Sequence, residues 1–579
     1  MPALEITQRT TGCLLRAECV SVSSIEVLPL EVLYEIFMLC LPGDFRIVTC
    51  NIAQVAPLQL CHVSKAWRRA SMNECRLWRN LKLPTKRLEE ATTPEGFTDA
   101  LSRITSLAAF WIQNAGDPGV RLVLNIPLPS SKLQMMDIAS QLFHNNPSNP
   151  TINTTATTFM EAWMHFTNNV LVNGSPHIKD LELIQPLGTT ASHWMPSFLS
   201  TLLPYDFKQL ESVMVRGTQI IPSQCPGCRP GLFGSMPNLK KVALVYTGLS
   251  SSAPSMLPES LLPWRQLTHL MIKTPCSGSF WKRILMQCTQ LEACIIHIEH
   301  SIVDGDDDPL LPSSGIELVR LHHLDLTFHD DFTSIYLHDF HFPNLQTLIV
   351  SCDIGNGFPT FTWLPITKTH LFPQLHNLIS FTLSYQNLCA SDLLELLGET
   401  PNLEELIVDS YLADHKGFLK SLTVYPNGTR KPLVPKLRAF SLFLEYYADT
   451  PPTSFEEEDF LVMMASRSVC AAAIAEHVCI MTSKNIDGIY SPDSSAPSVL
   501  RCGGTNESAL VHVELWIDTE EWEWGRFDLL EKFAAKHTMY LKDAIEAGVQ
   551  DLPPFSFSLD FNSPSQWLLQ SNEPVWYNY

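Results

Sequence analysis

Eleven times between Ile178 and Leu515 the chain returns to one six-residue pattern, Leu-x-x-Leu-x-Leu with conservative apolar exchanges. The copies are IKDLEL from Ile178, LESVMV from Leu210, LKKVAL from Leu239, LTHLMI from Leu267, LEACII from Leu291 and LHHLDL from Leu321. They continue as LQTLIV from Leu345, LISFTL from Leu378, LEELIV from Leu403, LRAFSL from Leu437 and LVHVEL from Leu510. The first ten start 24 to 34 residues apart and the last follows after 73. The alternation in the second half of each copy predicts a short strand with one buried face. One such strand cannot bury its apolar side alone, so the copies must stack and share a core. Pro237, Pro343, Pro401 and Pro435 each stand two residues before the first Leu, ending one element and setting an extended entry to the next.

Between copies, SDLLELLGETPN (Ser391–Asn402) predicts an outer helix with Ser391 as N-cap and Gly398 as stop. Pattern and period resemble leucine-rich-repeat proteins. That resemblance implies an α/β repeat fold, an irregular horseshoe solenoid whose strands line the inner curve. The Asn or Cys eight residues after the first Leu, usual in such repeats, is replaced by residues such as Thr218, His329 and Tyr411. A regular asparagine ladder is therefore not expected.

The remaining sequence divides around the repeats. Residues 1–24 read as a tail, 25–83 as a helical module, and 84–175 as a connector with a first irregular repeat. The repeats run over 176–518 with an insertion at about 446–508, and 519–579 is a C-terminal cap. In the connector, LAAFWIQNAGDPGVRLVLNIP predicts a helix, a turn and a strand. In the insertion, Ser454 and Glu457 have capping-box spacing and the acidic run suits a helix N-terminus. In the cap, EEWEWGRFDLLEKFAAKH reads as a helix closing the open end.

LPLEVLYEIFMLCLPGD (Leu28–Asp44) opens the helical module. Pro29 suits the first helical turn. Val32, Leu33, Ile36, Phe37, Cys40 and Leu41 then recur at spacings of three and four, a stripe wide enough for two surfaces. A second block, APLQLCHVSKAWRRASMNECRLWRNLKL, is built around Trp67 and Trp78. Roughly 55 residues is marginal for independent stability, and surplus apolar surface on such a module suits docking. The Leu-Pro start, the Ile-Phe pair, VSKAWR and the later Leu-Trp resemble the F-box, as in F-box-like proteins of mushroom-forming fungi. The link Gly43–Val55 is longer than that pattern. The resemblance implies binding to a Skp-family adaptor, itself held by a cullin scaffold. Leu28, Pro29, Leu33, Ile36 and Phe37 would face the adaptor, while Trp67 and Trp78 would hold the bundle and its far edge. The alternative is a helical hairpin packed on the rest of the chain.

A net charge of −21 argues against a general nucleic-acid surface. Sixteen scattered cysteines suit a reducing compartment, hence a cytoplasmic or nuclear location. The greasy run FLVMMASRSVCAAAIAEHVCIM carries Arg467, Glu476 and His477 and reads as a packed helix, not a membrane span. Cys225 and Cys228 of CPGC lack two further ligands, and DGDDDP (Asp304–Pro309) lacks calcium-loop spacing. Strand alternation splits His322, His323 and His329 between the two faces. With no phosphate loop or nucleophile elbow, neither catalysis, nor a metal, nor a cofactor is expected.

The expected role is the substrate-recognition subunit of an SCF-type ubiquitin ligase, without catalytic residues of its own. A scaffold without a cullin partner, or an enzyme lacking any known motif, are the alternatives. The protein target would meet the inner strand face at His323, Asp325, Thr327, Thr347, Ile349, Ser351, Ser380, Thr382 and Ser384. Farther along the same face lie Glu405, Ile407, Asp409, Phe443, Glu514 and Trp516. This surface suits a basic or extended peptide.

Overall fold

The structure, a computed structural model, describes residues 28–41, 56–83, 88, 93–125, 162, 165–184, 207–217, 233, 236–246, 262–276 and 278–298. It further describes 315–328, 337–352, 363–412, 414–424, 432–444, 455–467, 510–517, 530–535 and 556–560. The chain forms two compact units, Met1–Glu182 with Tyr205–Gln209, and Leu183–Pro204 with Leu210–Tyr579. Among the described residues no helix is long and apolar enough to cross a membrane.

The first unit opens with the short helices α1 (Leu30–Leu39), α2 (Leu58–Cys61) and α3 (Lys65–Asn73). Pro29 stands just before α1, its carbonyl accepting the Leu33 N–H at 3.1 Å. Ser64 caps α3 by accepting the Trp67 N–H at 3.2 Å. Trp78 is fully buried, donates its indole N–H to the Ser71 carbonyl at 2.8 Å, and meets Phe110 and Trp111 edge-on. Those two rings belong to α4 (Pro94–Ala115), the helix expected in the connector. The turn after it uses Gly116 and Gly119 at φ 63° and 83°, a region that costs glycine little. The expected strand β2 (Val120–Asn125) follows, parallel to β1 (Asn80–Lys82) and lying between it and β3 (Ile178–Ile184) in the sheet order. The strand series therefore begins earlier than expected. WRNLKL from Trp78 and GVRLVL from Gly119 are further copies in which Trp and Gly replace the first Leu.

The second unit is α/β, with a large, open, parallel sheet. Its strands are β4 (Ser212–Gly217), β5 (Lys241–Tyr246), β6 (His269–Cys276), β7 (Ala293–Ile298), β9 (His323–Phe328) and β11 (Thr347–Cys352). They continue as β12 (Ser380–Leu388), β13 (Glu405–Leu412), β14 (Ala439–Leu444), β15 (His512–Ile517) and β16 (Ser556–Asp560). A separate pair, β8 (Ile316–Glu317) and β10 (Phe340–His341), is also parallel. Strand order follows chain order, and equivalent positions pair: Leu324 with Leu348, Leu348 with Phe381, Phe381 with Leu406, Leu406 with Phe440. From β4 to β15 each strand of this sheet starts at the third residue of its copy. The copy at Leu510 pairs directly with that at Leu437, Phe440 opposite Val513, despite the long insertion between them.

Residues 519–579 were expected to form a helical cap. Their described residues supply a helical turn at 530–535, inside the stretch read as a helix, and one more strand, β16. Its copy, PFSFSL, has Pro554 in place of the first Leu.

The first, fourth and sixth residues of each copy are the core, with Leu324, Leu326, Leu406, Val408, Phe440 and Leu442 at most 1% exposed. Helices cover them. Phe440 packs against Phe418 of the helix His415–Leu422 and Phe460 of the helix Glu457–Arg467, with ring centres 6.5 and 6.3 Å away. The helix expected around Ser391 spans Ala390–Gly398, but Cys389 holds the N-cap position and Ser391 lies inside the first turn. Gly398 is its last helical residue. The acidic run of the insertion does start a helix at Glu457, whereas Ser454 lies outside the described residues. Its acids meet a neighbouring helix, Lys416 pairing with Glu456 at 2.6 Å and Lys420 with Asp459 at 3.9 Å. At the other end Arg467 is buried among backbone carbonyls, donating to Leu422 at 2.6 Å, to Val434 at 3.0 Å and to Leu433. Burial pulls its pKa down to about 10. The Leu510 N–H donates to the Arg467 carbonyl, which anchors the start of the β15 copy.

An amide ladder does exist, one residue before the first Leu and not eight after it. Asn344 donates to the Val319 carbonyl at 2.7 Å, Asn377 to Pro343 at 2.9 Å, and Asn402 to His376 at 2.7 Å. Each acceptor stands two residues before the first Leu of the preceding copy. Gln266 makes the equivalent link to Met236 and Leu239. Asn377→Ala should cost about 1 kcal/mol, the worth of one such bond. A urea midpoint equal to wild type would show the ladder to be ornamental.

Candidate functional site

Two surfaces carry the functional expectations. The first is α1. Leu33 and Phe37, expected at a partner interface, are 4% and 0% exposed. Phe37 packs on Trp67 at 4.9 Å and 55°, so these residues are core and the expectation for them is corrected. A helix turning 100° per residue puts their neighbours outside. Leu28, Leu30, Val32 and Leu39 are 36%, 53%, 45% and 86% exposed, Pro29 is exposed and Ile36 half-buried. Val63, beside α3, is 59% exposed. Arg76 fixes the helix by reaching Glu35 and Glu74, at 3.0 and 2.9 Å. Trp67 is half-buried and Trp78 wholly interior. Leu30 and Leu39 lie off the three-and-four spacing that marks the stripe, and only the position of Trp67 shows which half of α1 points inward. The link Gly43–Val55 lies outside the described residues.

The second surface is the sheet face bearing the third, fifth and seventh residues of each copy. Register aligns His323, Thr347, Ser380 and Glu405 in one row, and Asp325, Ile349, Thr382 and Ile407 in the next. All eight are half-buried or exposed. Hydroxyls bridge the strands: Thr327 meets Ser351 at 3.0 Å, Ser380 donates to Glu405 at 2.6 Å, and Ser384 donates to Asp409 at 2.8 Å. His512 pairs with Glu514 at 2.9 Å, and Ser441 donates to the same carboxylate at 3.3 Å.

Not all of this face is open. Asp409 is 5% exposed and Phe443 1%, Phe443 being stacked on half-buried Trp516 at 5.7 Å. These two are not surface residues, contrary to expectation. Farther toward β4, Met214, Ala243, Met271 and Ile295 form a buried apolar row on the same face. Burial beside that row also governs charge. Desolvation pushes Asp325 up to about 6, with Lys273 opposing. Desolvation likewise brings His323 and His269 down to about 4, helped by His322 at both and by Lys241 at His269, so both rings are neutral at pH 7.

Cys225, Cys228, His329 and Asp304–Pro309 lie outside the described residues. Among the described residues no group of three or more His, Cys, Asp or Glu could hold a metal ion. No family model and no curated protein matches the chain.

Proposed function

We propose that the chain is a substrate-recognition subunit of an SCF-type ubiquitin ligase, with an F-box at its N-terminus and a leucine-rich-repeat sheet as its target receptor. The supporting observation is the set of apolar side chains exposed on and beside α1. Among the described residues, five of the eight exposed large hydrophobic side chains, Leu28, Leu30, Val32, Leu39 and Val63, belong to this small module. Apolar groups gathered in this way mark a docking surface, and here a Skp-family adaptor would cover them, with a cullin behind it. The module's own core, Phe37 on Trp67 and Trp78 on Ser71, holds that face in shape without taking part in it.

The sheet then supplies a protein target with a polar, hydroxyl-rich surface centred on Thr347, Ile349, Ser380, Thr382, Glu405 and Ile407. No bond chemistry is asked of the receptor. It holds the target close to a loaded conjugating enzyme, so its contribution is effective concentration. Co-purification of the full chain tests this. Adaptor and cullin should come down together with the receptor, and their absence would favour a binding scaffold outside any ligase.

A further inference from the structure

A cavity of about 390 Å3 lies along the edge where β11, β12 and β13 begin. That volume is within the range that holds small ligands. Three rungs of the amide ladder build it, with Asn344, Asn377 and Asn402 before the first Leu of their copies. Gln346, Ile379 and Glu404 follow that Leu, and Lys436 of the next copy closes the end.

The polar groups are held in fixed directions. Each Asn spends one N–H on the preceding copy, so its amide plane is set and its oxygen is turned away from that carbonyl. Lys436 donates to the Asn402 oxygen at 2.8 Å, which leaves its ammonium two further N–H donors. The side chains of Gln346 and Glu404 make no hydrogen bond or ion pair among the described residues, and Ile379 is 40% exposed.

The main chain at this edge is already saturated. The carbonyls of Gln346, Ile379 and Glu404 each accept two N–H groups from the following copy, at 2.7–2.9 Å. A peptide strand added here would find no free backbone partners. Recognition is left to side chains that mix donors and acceptors at the strand spacing of about 4.8 Å. One carboxylate and one ammonium balance in charge. The groups that satisfy such a set are hydroxyls, each donor and acceptor at once, on a ring whose C–H face can lie on Ile379. From this geometry we infer that the cleft binds a short, neutral oligosaccharide. The site is separate from the adaptor face and from the strand face offered to the target, and stands or falls without either.

The test uses the full chain. An array of neutral oligosaccharides is screened, and calorimetry follows with cellotriose, maltotriose and chitotriose as probes. At least one neutral saccharide should bind. Gln346→Ala and Glu404→Gln should each weaken it, Glu404→Gln by roughly tenfold or more, as loss of a hydrogen bond to a charged group does. Both variants should melt with wild type, because neither side chain has a partner to lose among the described residues. Ile379→Arg, which fills the cleft from an exposed position, should abolish binding. The inference is overturned if no neutral saccharide binds, if only charged ligands do, or if all three variants bind as wild type does.

Discussion

Leu406→Asp will unfold the central strands of the sheet, whereas Glu405→Lys beside it will melt with wild type. Leu406 is wholly buried and pairs with Phe381 on one side and Phe440 on the other, both equally buried. Removing its side chain from that contact costs about 2–5 kcal/mol, and a carboxylate in its place has no hydrogen-bond donor to offset desolvation. Glu405 is exposed and serves only as acceptor for Ser380, so its reversal should stay within about 0.5 kcal/mol. Circular dichroism melts and limited proteolysis of both variants decide it. The opposite result would mean a one-residue shift of register, which exchanges the two faces of every strand. Asp409 is not a fair companion for Glu405 in this test, because it is buried and bonded to Ser384.

The contrast between Leu406 and Glu405 was legible in the sequence because alternation is local. Each of the eleven copies forms its strand, and Ala439 pairs with His512 across the long insertion between them. Three copies escape the Leu-x-x-Leu-x-Leu pattern because the first Leu is not obligatory, and of these only the one at Gly119 lies where an irregular repeat and a strand were expected. Trp78, Gly119 and Pro554 replace it, at a position that precedes the strand, so a large ring or a turn residue can serve. The ladder escaped for a related reason. Pro-Asn-Leu recurs at 237–239, 343–345 and 401–403, but its Asn acts on a carbonyl one copy away.

What alternation cannot tell is whether an outward residue stays uncovered. Phe443 is outward by register and still buried, since Trp516, 73 residues later, lies against it. On α1 the ambiguity is angular. The stripe from Val32 to Leu41 is broad, and only the place of Trp67 decides that Leu33 and Phe37 turn inward while Val32 and Leu39 turn out.

That division makes the adaptor proposal sharp. Val32→Glu with Leu39→Glu, two turns apart on one side of α1, should abolish capture of a Skp-family adaptor and leave the chain folded. Both residues are exposed, at 45% and 86%, so the substitutions spare the internal packing of Leu33 and Phe37. Anchors buried at an interface typically contribute about 2 kcal/mol or more each, so the pair should lower affinity by roughly a hundredfold or more. Phe37→Ala should behave differently. It removes a fully buried ring from Trp67, costs about 3–5 kcal/mol, and weakens capture only as far as the module unfolds. Adaptor affinity and thermal melts, measured on both variants, separate docking from folding. If the double variant bound adaptor as tightly as wild type, the exposed face of α1 would not be the docking surface. If the wild-type chain captured no adaptor at all, the apolar face would still need a partner, and the ligase reading would give way to that of a scaffold.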